Sequence, residues 1–255
     1  MLGSGLLLVL GSLYGPWGTA LSSWVEDAFG LGKAEVKIVA LPVVSPCDQQ
    51  WAIPPGRYGA ALDEFRQRAD GDWQTESLIA WLKKHDAVAQ NTFTLYLDTS
   101  TTGKKATLHD IRVKVISRKE TPRLKPFRPG CGGPGYYHSF SIPLRQLPVG
   151  RAVSVREMYQ RWPDQVALGA EAMAGAELDQ LGADRARPLQ LPLTMSSDDP
   201  ESLRILAVAE DGYYAWELQL VWAVAGENPE THTVDFDGAP FRTAAEQTRA
   251  GAEHP

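Results

Sequence analysis

Five histidines, two cysteines and a scatter of carboxylates are the side chains of this chain that could do acid–base, nucleophilic or metal chemistry. The histidines are His85, His109, His138, His232 and His254. They form no His-Glu-x-x-His motif and no close pair, so a metal site would have to be assembled in three dimensions. His138 shares parity with Phe140 and Ile142, as a satisfied core histidine would. His109 precedes Asp110 at a point where a strand's alternation slips, which reads as a β-bulge with a structural role. No Gly-x-Ser-x-Gly elbow presents a serine, and Ser139 and Ser141 fall inside a strand pattern. Asp63, Glu64, Asp198, Asp199 and Glu201 are spread along the chain and read as solvated or capping carboxylates. A glycosidase pair needs only proximity in space and stays open. The glycine-rich stretch Gly130–Gly135 lacks the Gly-Lys-Ser/Thr ending of a phosphate loop. No catalytic, cofactor or metal residue is therefore assigned, and no cofactor is expected.

Cys47 and Cys131 are too few for a four-ligand zinc site. They read either as a disulfide or as two unrelated free thiols. As a disulfide the pair would fasten a Pro-rich linker to the sheet, with a stabilisation of roughly 4 kcal/mol in the chain-entropy picture. Most tryptophans sit where a core would take them. Trp51 and Trp162 fall in a loop and at a helix start, and are the two to suspect of touching a partner.

The elements that would carry these residues follow from periodicity. Ala34–Leu41 alternates as a strand, and Pro42–Gly56 reads as a linker. Tyr58, Ala61, Leu62, Phe65 and Ala69 recur at helical spacing over Arg57–Ala69. A second helix begins near Asp72 and ends near His85, with Lys83 and Lys84 suiting its C-terminal dipole. The period then becomes two, through Phe93–Leu97 and Ile111–Val115, with Thr99–Lys105 as a polar loop between them. Further strands are expected at Tyr136–Pro143, Leu189–Met195, Leu203–Ala209, along the Trp216–Val224 run and at Thr231–Phe236. Leu203–Ala209 shows little alternation, as if buried on both faces. Asp211-Gly212 reads as a hairpin turn. Asp164–Leu181 is Ala-rich and periodic, an inserted helix. About eight strands separated by turn signals predict a mainly β fold, an antiparallel, immunoglobulin-like β-sandwich with a few accessory helices. The domain spans residues 34–243, with helical insertions at about 57–86 and 164–181, and residues 244–255 form a disordered tail.

The pieces Thr107–Val115, Pro129–Pro134, Tyr137–Ile142, Ser196–Glu201 and Phe236–Thr243 resemble a group of uncharacterised actinomycete proteins in which a transmembrane segment precedes an all-β extracytoplasmic domain. The likeness runs from about Ala34 to Thr243. The helix at Asp164–Leu181 is extra to that group, and a cysteine pair expected before the Trp216 strand is missing. The resemblance implies an anchor and a fold, and no activity.

Met1–Val25 contains no charged residue, and Glu26 and Asp27 close it. Its length suits a bilayer span, and glycine and proline are tolerated there. A cleavable signal peptide is a rival, but no Lys or Arg precedes Lys33. Residues 1–25 are thus expected to be a transmembrane helix in the bilayer, with the globular domain outside the cytoplasm of a single-pass cell-membrane protein. The net charge is -6 and the basic residues read as dispersed, so no nucleic acid is expected as a partner. The expected function is binding an unidentified protein or envelope component, or bracing the envelope. An envelope hydrolase with a loop-borne site and a cytosolic interaction module are the alternatives.

Overall fold

A computed structural model describes residues 35–41, 50–67, 75–102, 105–127, 137–166, 186–188, 191–196, 201–236 and 238–247. The expected span at 1–25, both cysteines, most of the Asp164–Leu181 helix and residues 248–255 lie outside the described residues. Among the described residues no helix is long and apolar enough to cross a membrane.

The chain is mainly β, with two sheets that share one hydrophobic core. β1 (Glu35–Leu41) forms the edge of a five-stranded sheet. It pairs with β4 (Thr92–Thr102), which pairs with β11 (Glu201–Val208). β7 (Tyr137–Pro143) and β9 (Ala186–Pro188) complete that sheet. The larger sheet runs β10 (Leu193–Met195), β5 (Ala106–Lys119), β12 (Tyr213–Val224), β14 (Phe241–Ala244), β3 (Val88–Gln90), β2 (Gln50–Ile53), β6 (Lys125–Phe127). β8 (Ala152–Ser154) adds to β5, and β13 (Glu230–Val234) adds to β12.

Period-two alternation sets the inner faces. Phe93, Leu95 and Leu97 of β4 are at most 2% exposed, as are Ile111, Val113 and Val115 of β5. β11 is buried on both faces: Leu203, Ile205 and Ala207 are fully buried, and Arg204 and Leu206 are 7% and 9% exposed. It is the central strand of its sheet, which accounts for the weak alternation. The bulge expected near His109-Asp110 is present. Val221 of β12 pairs with Asp110 and Trp222 with Leu108, so His109 is left out of the ladder.

The expectation of an antiparallel, immunoglobulin-like sandwich is corrected, because both sheets are mixed. β11 runs parallel to β7, β7 parallel to β9, and β14 parallel to β3. Parallel neighbours need a long crossover, and the segment from β7 to β11 supplies one. Alternation tells which side chains face inward and is the same for either strand direction. The number of strands also exceeds the expectation, with fourteen among the described residues.

Three local readings change. Asp211-Gly212 is not a hairpin, since it carries the chain from β11 in one sheet to β12 in the other. Gly212 has φ +65, and a Cβ there would lie 2.9 Å from the Lys119 carbonyl oxygen. The expected polar loop begins later, because β4 continues to Thr102 against β1. The expected tail begins later too, because Thr243 and Ala244 are fully buried in β14, and Trp216 Nε1 donates to Thr243 Oγ1 at 3.0 Å.

α1 (Pro55–Gln67) and α2 (Thr75–Lys84) close the core at β2 and β6. Phe65 of α1 and Trp81 of α2 both pack on Phe127, at 4.9 and 5.2 Å between ring centroids. α3 (Val155–Arg161) follows β8 directly and buries Val155 and Met158.

Phe93→Ala is expected to destabilise the fold by about 3–5 kcal/mol, because it empties a core ring that touches both sheets. Gly212→Ala is expected to cost at least ~1 kcal/mol through its positive φ and the Lys119 carbonyl. Urea unfolding midpoints check both. A neutral Gly212→Ala would show that the crossing turn is not strained against Lys119.

Candidate functional site

Three polar clusters bring acid–base groups together. The first joins β5, β8 and the start of α3. Ser154 Oγ accepts from the Arg156 backbone N–H at 3.1 Å and so caps α3. The same hydroxyl donates to Asp110 Oδ1 at 2.6 Å, and Arg112 Nε donates to Asp110 Oδ2 at 3.0 Å. Arg156 Nη2 donates to the His109 carbonyl at 3.1 Å. Serine, histidine and aspartate are thus neighbours, as in an acyl-transfer triad. A triad needs an imidazole between hydroxyl and carboxylate to take the proton. Here the hydroxyl reaches the carboxylate directly, so the geometry is that of a helix cap tied to a bulged strand.

The second cluster surrounds the crossing turn. Tyr214 is fully buried, and its hydroxyl donates to Asp211 Oδ1. Burial first, and then this hydrogen bond to a carboxylate, raise the Tyr214 phenol well above its ordinary range. The Arg118 guanidinium lies 5.2 Å from the centroid of the Tyr214 ring. Its Nη2 donates to the carbonyls of Arg145 and Leu147 at 2.7 and 2.9 Å. Arg145 in turn approaches Asp211 at 3.3 Å. These contacts fasten the turn to β5 and to the short helical segment Leu144–Gln146.

The third cluster links the two helices, and among the clusters it holds the one buried imidazole. His85 is 5% exposed and lies against Trp81, 5.0 Å between ring centroids. Its Nε2 is 2.8 Å from Glu64 Oε2, which Lys84 Nζ also reaches at 2.8 Å. The hydrogen bond from Lys84, and after it that from His85, hold the Glu64 carboxyl below its ordinary range. Beside it, Asp86 sits at φ +51 past the end of α2. Arg57 Nη1 and Arg242 Nη1 approach its carboxylate at 2.9 and 3.6 Å. Arg57 also donates to the Lys84 carbonyl at 2.7 Å. A His–Glu pair can move a proton, but its two atoms here already face each other across the α1–α2 contact.

From the sequence Glu64 is expected among solvated carboxylates and His85 near the end of a helix. The pairing between them carries no linear signal, since 21 residues separate them. The other histidines among the described residues are spread out: His109 on β5, His138 on β7 in the other sheet, and His232 exposed on β13. Among the described residues no group of three His, Cys, Asp or Glu is placed to hold a metal ion. Of the two tryptophans suspected of touching a partner, Trp51 belongs to β2 rather than to a loop. It is 1% exposed and packs edge-on against Phe93 at 6.0 Å. Trp162 follows α3 and is half-buried against the core. Cys47, Cys131, Asp198 and Asp199 lie outside the described residues.

Because Glu64 is ionised more readily in the folded chain, its contribution is present above the ordinary carboxylate range and is lost as pH falls through the lowered value. Glu64→Gln is expected to flatten the acid limb of the melting temperature against pH and to cost about 1 kcal/mol at neutral pH. An acid limb unchanged in the variant would assign it elsewhere. Tyr214 has the opposite sign: its contribution is present below its ordinary range and is lost as pH rises above about 10. Tyr214→Phe is expected to remove that alkaline loss in the same measurement. Compared with protein families, with curated proteins and with solved structures, the chain matches none of them.

Proposed function

We propose that this is a membrane-anchored protein whose β-sandwich domain lies outside the cytoplasm, where it binds an envelope component or braces the envelope. The observation that carries the reading is the uncharged run Met1–Val25, long enough to span a bilayer and closed by Glu26 and Asp27. β1 starts at Glu35, so only a short linker would separate the span from the sheet. The polar clusters have structural partners within the fold. Asp110–Ser154 ties β5 to the start of α3, Glu64–His85 ties α1 to the end of α2, and Asp211–Tyr214 holds the turn that leads into β12. A disulfide between Cys47 and Cys131, and the resemblance to uncharacterised actinomycete proteins with a transmembrane segment and an all-β extracytoplasmic domain, belong to the same proposal.

Two measurements test it. Full-length protein is expected in the membrane fraction and to resist extraction by high salt, and recovery in the soluble fraction overturns the anchor. Thiol titration of the unfolded, unreduced chain is expected to find no free thiol. Two free thiols would overturn the extracytoplasmic placement and favour a cytosolic interaction module.

A further inference from the structure

The basic residues are not dispersed. Residues 105–161 hold twelve Lys and Arg against three Asp and Glu, although the whole chain has 25 against 31. The fold displays part of this segment on one outer surface. On β5, Arg112, Lys114 and Ile116 alternate with the fully buried Ile111, Val113 and Val115, so they face outward together. The chain from Val149 to Ser154 runs alongside, with Val149 bridged to Val115, Ala152 to Lys114 and Ser154 to Arg112.

The acids in this region offset only part of its charge: Arg112, Lys114, Arg151 and Arg161 share three carboxylates, those of Asp110, Glu217 and Glu157. Arg112 is 44% exposed and its partner Asp110 15%. Lys114 is 36% exposed and its partner Glu217 19%. Arg151 and Arg161 are both 55% exposed and share Glu157 at 28%. In each pair the cation is the outer member. The exposed large hydrophobics among the described residues are Ile116 and Val149, at 40% and 54%, and both lie within this cationic surface. Ile116 is held out by a second bulge, because β12 passes from Ser117 to Val115 between Ala215 and Trp216.

We infer that the outer face of β5, β8 and the Val149 turn is a docking surface for an anionic phospholipid bilayer. Cations at the rim attract the negatively charged headgroups, and Ile116 and Val149 enter the boundary between headgroups and acyl chains. A soluble polyanion would reward the charge but leave the apolar pair without a role, and the rest of this acidic chain would repel it along its length. The inference goes beyond the anchoring proposal and does not depend on it.

The test is hydrogen–deuterium exchange of the full chain with phosphatidylcholine vesicles and with vesicles that also contain phosphatidylglycerol. Amides of residues 145–151 are expected to be protected by the anionic vesicles alone, and the protection is expected to fade at high salt. Each of Arg112→Gln, Lys114→Gln and Arg151→Gln is expected to raise the anionic lipid needed for half-protection about fivefold. Thermal unfolding of each variant confirms that it folds. Equal protection by neutral vesicles, or none by anionic ones, overturns the inference. Protection by inorganic polyphosphate at a lower phosphate concentration than by vesicles also overturns it, in favour of an anionic polymer. Failure of the anchor is read separately, as loss of full-length protein from neutral vesicles after a salt wash.

Discussion

Phe93 touches both sheets at once, and the core is arranged around that contact. It stands on β4 in the five-stranded sheet and meets Trp51, Trp216 and Phe241 of the larger one, at 6.0, 5.7 and 5.0 Å between centroids. All three contacts are edge-on, the arrangement that ring quadrupoles favour. The partners come from β2, β12 and β14, so one ring joins the beginning, the late middle and the end of the described chain. Trp216 is in turn held by Thr243, which keeps β14 against β12 by a hydrogen bond as well as by apolar packing.

Much of this was legible from the spacing of residues. The inner faces of β4, β5 and β12 follow alternation, and the slip at His109 shows on the page as a change of parity. Alternation could not give strand direction, so the parallel pairing of β7 with β11 stayed hidden. Nor could it say which sheet follows a turn. Asp211-Gly212 has the composition of a hairpin, yet the chain crosses between layers there, because Tyr214 and Arg118 fix the far side of the turn. Trp51 lay beyond local pattern for another reason: prolines surround it, and its place in β2 depends on partners at Ala89 and Phe127.

The polar groups carry a related lesson. Serine, histidine and aspartate do come together at Asp110, and glutamate and histidine do meet between the helices. Residue type could have suggested chemistry in both places, and only the order of the hydrogen bonds separates a cap from a relay. Whole-chain totals mislead in the same way. A net charge of -6 conceals a basic middle segment, and counting by segment would have exposed it before any coordinates.

β14 has a consequence for how the protein is made. It lies between β12 and β3, and its Thr243 sits opposite Ala89. A ribosome releases Ala89 long before Thr243, so until β14 emerges β3 has β2 beside it but not β14, and Phe93 lacks Phe241. Contacts between such distant residues close slowly. The nascent chain therefore carries an open sheet edge beside exposed aromatic rings until Phe241–Ala244 emerge, and chaperones would have most to shield in that interval.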